Sequence, residues 1–528
     1  MPHGVTRRNA EVAIESGMKT VGDVLDPGRF GIMFPALPRF HPGRAALEKV
    51  ALGMIDPAIA PGDDGLRHED PDGDNPNIPS GFTYLGQFID HDITLDLTSL
   101  SEQIEDPRQT VNFRTPGLDL DCLYGRGPGG SPHLYDRQSG FTKLQVGVAE
   151  ASPNLAGGQV PEINGGDLPR GLHGTALIGD HRNDENLLVA QTHVAFLHFH
   201  NAMVDRLAGT VPDSELFDTA RKEVVWHYQW MVLNDFVARL VGPDLIPRIL
   251  SAGRKLYRFP RRPFMPTEFA GAVYRLGHSM VRQIYSHNRF FSADKRPQAT
   301  FDLLFHFTGL SGHIVGALHD KIPSVDPGNF ASLPSNWVID WKRFYQFDTP
   351  NPAGIPINHS RKLDCRLAHE LSILPGFPQG REGNLAFRNL DRGSQLGLPT
   401  GQNVARLVRM HYPEVRPLTP AEITSGHAGA AIHDAGLAEE TPLWFYILKE
   451  AEIRESGLKL GPIGARILAE VFIGLLQGGA LEVEGKMSFL SDPSWRPSIG
   501  PGAGNFRMVD LLTFADVVDQ IDKVVPKP

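Results

Sequence analysis

The sequence is short of several features that mark common protein classes. Only two of its 528 residues are cysteine, Cys122 and Cys365, and no CxxC pair occurs, which excludes a disulfide framework and a zinc ribbon. The most apolar late stretch, 467–476, contains Glu470 and is too short to span a bilayer. Basic residues number 51 against 61 acidic ones, a net charge of −10, which argues against an electrostatic nucleic-acid binder.

What the sequence does contain is typical of a large globular protein. Hydrophobic residues make up 41% of it, enough for a substantial core, while 55 glycines and 43 prolines indicate many turns. Residues 1–19 lack the basic start and apolar run of a secretory signal. The expected location is therefore the cytoplasm, or the extracellular space by leaderless export.

Helical periodicity dominates the pattern of apolar residues. Spacings of three and four predict helices over 187–207 and 223–241, and an apolar composition predicts a buried helix over 465–476. Alternating strand patterns are scarce. The sequence therefore predicts a mainly α fold with long loops and few short strands, divided into an N-terminal arm (1–75) and one large body (76–528).

Two other groups of residues match a metal-site pattern only in part. Asp70, Asp72 and Asp74 fit the odd positions of an EF-hand loop, but Asn75 and Gly81 stand where that loop needs Gly and Glu. Three histidines crowd the 187–207 helix without any i,i+4 pair, which favours ordinary core histidines over a zinc site.

One segment, 81–94, groups side chains that can do chemistry. If it is helical near its end, Gln87, Asp90 and His91 share one face, and Asp92 points about 100° away from His91. The helix then offers an imidazole, an amide and a carboxyl on one side and a second carboxylate beside them. The alternative is an acidic helix end with a surface histidine.

A second segment, 115–121, has oxygen-bearing groups at every other residue. They are Thr115, the backbone carbonyl of Gly117, Asp119 and Asp121. In an extended loop alternate positions point to one side, and oxygen ligands in this number suit Ca²⁺ better than Mg²⁺. With Asp92 the set holds three carboxylates; the alternative is an acidic loop before a turn.

Three motifs together carry a family resemblance. GQFIDHD, TPGLDLD followed by LYG, and YRLGHS at 274–279 resemble, in this order, the signatures of the animal-type haem peroxidases of the peroxidase–cyclooxygenase superfamily. The resemblance runs from about residue 76 to 480, and the chain is similar to a bacterial member without accessory domains. The resemblance implies a helical haem peroxidase fold, haem b, Ca²⁺ and H₂O₂ as a substrate.

The resemblance assigns roles on the H₂O₂ side of the haem. His91 matches the distal base, Arg182 the distal cation and Gln87 the amide that holds water or halide. Asp90 and Glu185 match carboxylates that can be esterified to haem methyls. The residues that match the calcium site are Asp92, Thr115, Gly117, Asp119 and Asp121.

On the other side of the haem, His278 matches the iron ligand, with Arg275 one turn earlier. Asn389 is the candidate amide that accepts the Nδ1 proton of His278 and leaves Nε2 for iron. Arg392, one turn further on, would neutralise a haem propionate. Asn186 stands where some members place a Met linked to haem, which implies iodide, bromide or thiocyanate rather than chloride as halide-type donors.

The sequence thus predicts a peroxidase that uses H₂O₂ to oxidise small aromatic donors, halides or thiocyanate, with neither nucleic acid nor a membrane span among its partners. One alternative is a fatty-acid oxygenase of the same superfamily, which would carry a radical-forming Tyr where Arg275 stands; Tyr274 is one residue off that register. Another is a peroxidase-fold adhesion or binding protein, although the chain contains no Arg-Gly-Asp.

Overall fold

The computed structural model describes residues 30–95, 112, 114, 117–153, 159–171, 174–259, 262–294, 298–309, 332–349, 351, 355–374, 377, 379–480, 487–502 and 504–525. The α-helices are α1 (Arg44–Met54), α2 (Gly81–Ile93), α3 (Asp121–Tyr124), α4 (Gly127–Gly130), α5 (Leu187–Leu207), α6 (Asp213–Met231), α7 (Ala238–Val241), α8 (Leu245–Ala252), α9 (Thr267–Gly271), α10 (Leu385–Gln395), α11 (Gly401–His411), α12 (Pro420–Ile423), α13 (Gly429–Asp434), α14 (Leu443–Glu455), α15 (Pro462–Gly479), α16 (Met508–Phe514) and α17 (Gln520–Val524).

Short 3₁₀ helices and strands complete the described structure. The 3₁₀ helices are Pro71–Gly73, Pro132–Leu134, His181–Asp184, Val273–His278, Phe301–Phe305, Ser335–Trp337, Trp341–Arg343, His369–Ser372, Arg381–Gly383 and Phe489–Ser491. The strands are β1 (Phe30–Gly31), β2 (Asp74–Pro79), β3 (Gly147–Ala149), β4 (Ser152–Pro153), β5 (Gln159–Val160), β6 (Ile163–Asp167), β7 (Met265–Pro266) and β8 (His359–Arg361).

The described strands form only two-stranded sheets. β1 pairs with β7 in parallel, while β2 with β8, β3 with β6 and β4 with β5 are antiparallel. The mainly α architecture predicted from the sequence is confirmed. Among the described helices, none combines the length and the apolar character needed to cross a membrane.

Two helices that are buried on nearly all sides, α5 and α15, run through the core. The bounds of α5 are those predicted, and α15 extends the predicted 465–476 by three residues at each end. Asn186 caps α5, since its side chain accepts a hydrogen bond from the Val189 N–H at 3.0 Å. A helix that is apolar all round is stable only when it is packed on all sides.

The helix predicted over 223–241 is not continuous. α6 ends at Met231, a π-helical turn follows over Val232–Val237, and α7 continues to Val241. Within that turn, Asp235 accepts hydrogen bonds from Arg239 (2.8 Å) and from the backbone of Met508 (3.0 Å). Such turns rotate the following side chains around the helix, and here Phe236 lines the cavity described below.

Residues 30–75 of the predicted arm pack against the body. Glu268 is fully buried and accepts hydrogen bonds from the backbone N–H groups of Met33 and Phe34, each at 2.9 Å. Helix α1 buries Leu47 and Val50 and lies against α10. How the chain divides into domains stays a prediction.

Candidate active site

A cavity of about 540 Å³ lies between α2 and the 3₁₀ helix Val273–His278, within the usual size range of ligand sites. It brings together most of the residues predicted to surround a haem, namely Gln87, Asp90, His91, Glu185, Arg275, His278 and Arg392. Its apolar walls come from separate parts of the chain and include Phe82, Phe236, Leu276, Leu304, Phe305, Leu371, Leu374, Leu385 and Leu396.

Helix α2 reaches this position because its first residue has no side chain. A Cβ on Gly81 would lie 2.4 Å from the ring of Tyr345, so any other residue would push the helix away. Gly86 lies close to Phe236 in the same way, with a Cβ position 3.1 Å from the ring. The glycines thus set the distance of the helix from its neighbours.

His91 lines the cavity as a neutral imidazole. Burial, reinforced by the positive charge of Arg182, lowers the pKa of His91 to about 3. Its Nδ1 donates a hydrogen bond to Asn183 Oδ1 at 2.8 Å. Because a neutral imidazole carries its proton on one nitrogen only, Nε2 keeps a free lone pair. His91 therefore brings a nitrogen base to the cavity wall.

Arg182 is not among the residues that line the cavity. Its Nη2 donates hydrogen bonds to the backbone oxygens of His91 (3.0 Å) and Thr94 (2.6 Å) and to Asp180 Oδ2 (2.7 Å). The last carbonyls of a helix lack partners within it, and a guanidinium has several donors that satisfy them. Arg182 therefore fixes the end of α2, and from there its charge acts on His91.

Each of the two carboxyl groups predicted to face the haem accepts a hydrogen bond from a neighbouring side chain. Gln87 Nε2 donates to Glu185 Oε2 at 2.8 Å, and Asn186 Nδ2 donates to Gln87 Oε1 at 2.9 Å. Thr94 Oγ1 donates to Asp90 Oδ1 at 3.1 Å. Burial raises the pKa of Asp90 and of Glu185, and the charge of Arg182 opposes that rise.

His278 lies at the end of its 3₁₀ helix and contacts Asn389, as predicted, at 2.7 Å. The orientation of the amide differs from the prediction: Asn389 Nδ2 faces His278 Nδ1, while Oδ1 accepts a hydrogen bond from Arg275 Nη1 at 2.7 Å. A guanidinium can only donate, so Arg275 sets this orientation. Burial, together with the charge of Arg275, lowers the pKa of His278 to about 3.

A cluster of carboxylates lies directly behind the site. Asp92, Asp119 and Asp121 each place one oxygen within 4.8 Å of the others. Asp92 is fully buried; its Oδ2 accepts from Tyr228 at 3.1 Å, and its Oδ1 has no hydrogen-bond partner among the described residues. Burial and the charge of Asp119 raise the pKa of Asp92 to about 7. Arg114 donates to Asp121 at 3.1 Å.

The loop that carries this cluster is not extended, which corrects the predicted geometry. Leu118 and Leu120 have φ angles of 53° and 58°, the left-handed region that branched side chains rarely adopt. Both side chains are fully buried, and Asp119 between them points the other way, to the cluster. Alternate residues of the loop therefore still face opposite sides, as predicted, although the backbone is not extended. Thr115 lies outside the described residues.

Known proteins resemble this chain in both sequence and fold. The family model for the animal haem peroxidases matches residues 87–311. A peroxidase-like protein of Margaritifera margaritifera is 28% identical over 42% of this chain, and the match spans only 26% of that relative's length.

Two solved structures superpose on nearly the whole chain. Peroxidase A of Dictyostelium discoideum has a TM-score of 0.58, with 14% identity and 93% of both chains covered. A fatty acid alpha-dioxygenase of Arabidopsis thaliana has a TM-score of 0.53, with 14% identity over 93% of this chain and 77% of that one. The sequence similarity over residues 87–311 is therefore to the animal haem peroxidases, and the fold is shared with both of these solved structures.

The sequence pattern does not reveal two residues that contact the site. Asn183 Oδ1 bonds His91, and Asn183 Nδ2 donates to His193 Nδ1 at 3.0 Å. Asn183 lies next to Arg182 in a recognised motif, but nothing in the motif indicates which way its amide points. His193 is one of three histidines on α5, and the sequence does not show which of them faces Asn183; the packing of α5 decides it.

Proposed function

We propose that this protein is a haem b peroxidase of the peroxidase–cyclooxygenase superfamily, which reduces H₂O₂ and oxidises small aromatic donors, iodide, bromide or thiocyanate. One observation carries the proposal: the same cavity is lined by both His91 and His278. These residues are 187 positions apart in the chain, and each is held by an asparagine side chain.

The residues of the cavity fit a haem. Its walls are mainly apolar, as a porphyrin ring requires, and the guanidinium groups of Arg275 and Arg392, which also line it, would neutralise propionates. His278 supplies a nitrogen that can bind iron. Asp90 and Glu185 supply two carboxyl groups on the wall, and these would form any ester links to the ring.

When bound, the haem would supply the redox chemistry that cleaves the O–O bond of H₂O₂. His91 would move the proton: its Nε2 accepts one from the first oxygen of H₂O₂ and returns it to the second, which leaves as water. Because the pKa of His91 is about 3, the imidazole starts neutral and its protonated form gives the proton back readily. Gln87, hydrogen-bonded to Glu185, would orient water or an anion beside it.

The first test is an absorption spectrum of the purified protein before and after extraction with acidified acetone. We expect a Soret band that shifts within milliseconds to seconds when H₂O₂ is added. A band that stays with the polypeptide after extraction supports ester links through Asp90 and Glu185. A band that moves into the solvent refutes those links only, and no band after haem is supplied refutes the peroxidase.

A fatty-acid oxygenase is the second candidate, and one observation favours it: Tyr274 lines the cavity. Its hydroxyl donates to the backbone oxygen of Gly86 at 3.2 Å, and its ring stacks on Phe269 with the ring centroids 4.9 Å apart. Oxygen uptake with an unsaturated fatty acid in the absence of peroxide would support this function. Peroxide-dependent oxidation of guaiacol or iodide without such uptake would support the peroxidase.

We propose further that Ca²⁺ is bound by Asp92, Asp119, Asp121 and the carbonyl of Gly117, with Thr115 as an additional ligand. Three carboxylates and the guanidinium of Arg114 sum to a charge of −2, which a divalent cation neutralises. The Oδ1 of Asp92 supports the proposal. It is buried and has no hydrogen-bond partner among the described residues, which costs folding free energy unless a cation binds it. Carboxylate and carbonyl oxygens are the ligands that Ca²⁺ prefers.

Replacing Asp92 with asparagine is expected to make the stability of the protein much less dependent on Ca²⁺. Without the ion, Asp92→Asn should unfold at a higher temperature than the wild type, because a buried charge is removed. With Ca²⁺ at 100 times its Kd, the wild type should gain about 2.7 kcal/mol and the variant much less. Thermal unfolding in EDTA and in Ca²⁺ measures both effects.

The matched control is Asp72→Asn, which lies in the exposed acidic run that fails as an EF-hand. It should respond to Ca²⁺ as the wild type does. An equal gain from Ca²⁺ in Asp92→Asn and the wild type would contradict the site.

A further inference from the structure

Behind the proposed base lies a chain of three buried polar side chains. His91 Nδ1 donates to Asn183 Oδ1 at 2.8 Å, and Asn183 Nδ2 donates to His193 Nδ1 at 3.0 Å. We propose that Asn183, supported by His193, is a positioning residue that holds His91 in the tautomer whose Nε2 is free to accept a proton. The inference rests on the proposed function, since a peroxidase needs that lone pair.

The tautomer follows from the chemistry of the amide. Oδ1 of Asn183 can only accept, so the proton of a neutral His91 must lie on Nδ1. An amide turned the other way would place a donor at Nδ1 and move the proton to Nε2, where it would block the base. In enzymes with a histidine base, loss of the partner that fixes its tautomer is severely damaging even when the geometry is kept.

The orientation of Asn183 is supported from both sides along the chain. On one side Arg182 binds the backbone oxygens of His91 and Thr94. On the other, Asp184 accepts two hydrogen bonds from Arg170, at 2.7 and 3.1 Å. The 3₁₀ helix that carries Asn183 is therefore tied to α2 at one end and, through Arg170, to the last residue of β6 at the other.

His193 supports the amide from α5. Its Nδ1 accepts from Asn183, and its ring meets that of Phe88 edge-on, with centroids 5.9 Å apart. Phe88 lies one turn before His91 on α2. His193 therefore contacts both the amide of Asn183 and the helix that carries His91. Its Nε2 is buried and has no hydrogen-bond partner within the described part of the chain. There the chain of hydrogen bonds ends at His193, which indicates a scaffold rather than a conduit for protons.

The test compares ligands that need a proton acceptor with one that does not. HCN, like H₂O₂, must lose a proton when it binds to haem, whereas CO binds to the ferrous form without proton transfer. For Asn183→Leu we expect the association rates of cyanide and H₂O₂ to fall about 100-fold, the lower end of what a positioned base contributes. The association rate of CO should change by less than about twofold, because its binding does not use the base.

His193→Leu gives a second measurement, since it leaves Asn183 in place and removes its support. We expect a fall of about tenfold for cyanide, between the effects of an intact and a missing base. His200→Leu is the matched control: it removes another buried histidine of α5, one bonded to Tyr124 and Thr142 and remote from His91 in this network, and should leave the cyanide rate unchanged. Equal losses for cyanide and CO, or none in either variant, would overturn the inference.

The tautomer can also be measured without haem. In the apoprotein with ¹⁵N-labelled histidine, the signals of His91 are assigned by their loss in His91→Ala. We expect Nδ1 of His91 to carry the proton in the wild type and the two tautomers to be mixed in Asn183→Leu. A proton on Nε2 in the wild type would refute the positioning role, even if the peroxidase itself is active; a wild type inert to H₂O₂ would refute the function instead.

Discussion

Replacing His91 with alanine should slow the reaction with H₂O₂ by about 10²–10⁴-fold, the usual contribution of a positioned acid–base group. The imidazole lines the cavity, and its Nε2 is the nitrogen that is not engaged by Asn183. Haem should still bind, because the residues proposed to hold it, His278 among them, are unchanged. Stopped-flow spectra of the Soret band after addition of H₂O₂ measure the rate.

His181→Ala is the matched control for this experiment. His181 is the neighbour of Arg182 in the chain, but its side chain is 73% exposed and does not line the cavity. The rate of this variant should equal that of the wild type. If His91→Ala reacts with H₂O₂ at the wild-type rate, His91 is not the base.

Replacing His278 with alanine should remove the proposed protein ligand of the haem iron. We expect the Soret and visible bands of the holoprotein to change, and the affinity for haem to fall by at least about tenfold, because a coordination bond is lost. Titration of the apoprotein with haem measures the affinity. Added imidazole should restore part of the wild-type spectrum by entering the space left by the side chain.

The control is His369→Ala, since His369 is only partly buried and lies outside the cavity. It should bind haem as the wild type does. An unchanged spectrum in His278→Ala would refute its assignment as the iron ligand.

The orientation of the Asn389 amide determines which nitrogen of His278 carries the proton. In the described structure Nδ2 of Asn389 faces His278, so the imidazole proton lies on Nε2, the nitrogen needed for iron. Nε2 could serve as an iron ligand only if the amide turned over and Arg275 gave up its bond to Oδ1. A haem propionate would offer Arg275 another acceptor, so binding of the ring would favour that change.

Much of this site could be predicted from the sequence because its residues lie in short, regular elements. Gln87, Asp90 and His91 lie on one helix, where a spacing of three or four residues places side chains on one face. The bounds of α5 likewise follow from apolar periodicity alone. Where the local backbone determines the direction of a side chain, the sequence pattern is sufficient.

What could not be predicted depends on contacts between distant parts of the chain. Arg182 turns to the carbonyls at the end of α2, and no local pattern shows that those carbonyls are nearby. The amide of Asn389 is oriented by Arg275, 114 residues away. Leu120 adopts a left-handed backbone because its side chain is buried, although its residue type disfavours that conformation.

The walls of the cavity come from residues far apart in the chain, so the cavity cannot form early in biosynthesis. The cavity takes residues from Phe30 to Leu396, and β1, which contains Phe30, pairs with β7 more than two hundred residues later. At about 5–20 residues per second, a ribosome needs roughly 20–80 s to make that much chain. Every nascent molecule passes this interval without a complete cavity, so a haem could be loaded only after the chain has been synthesised through Leu396.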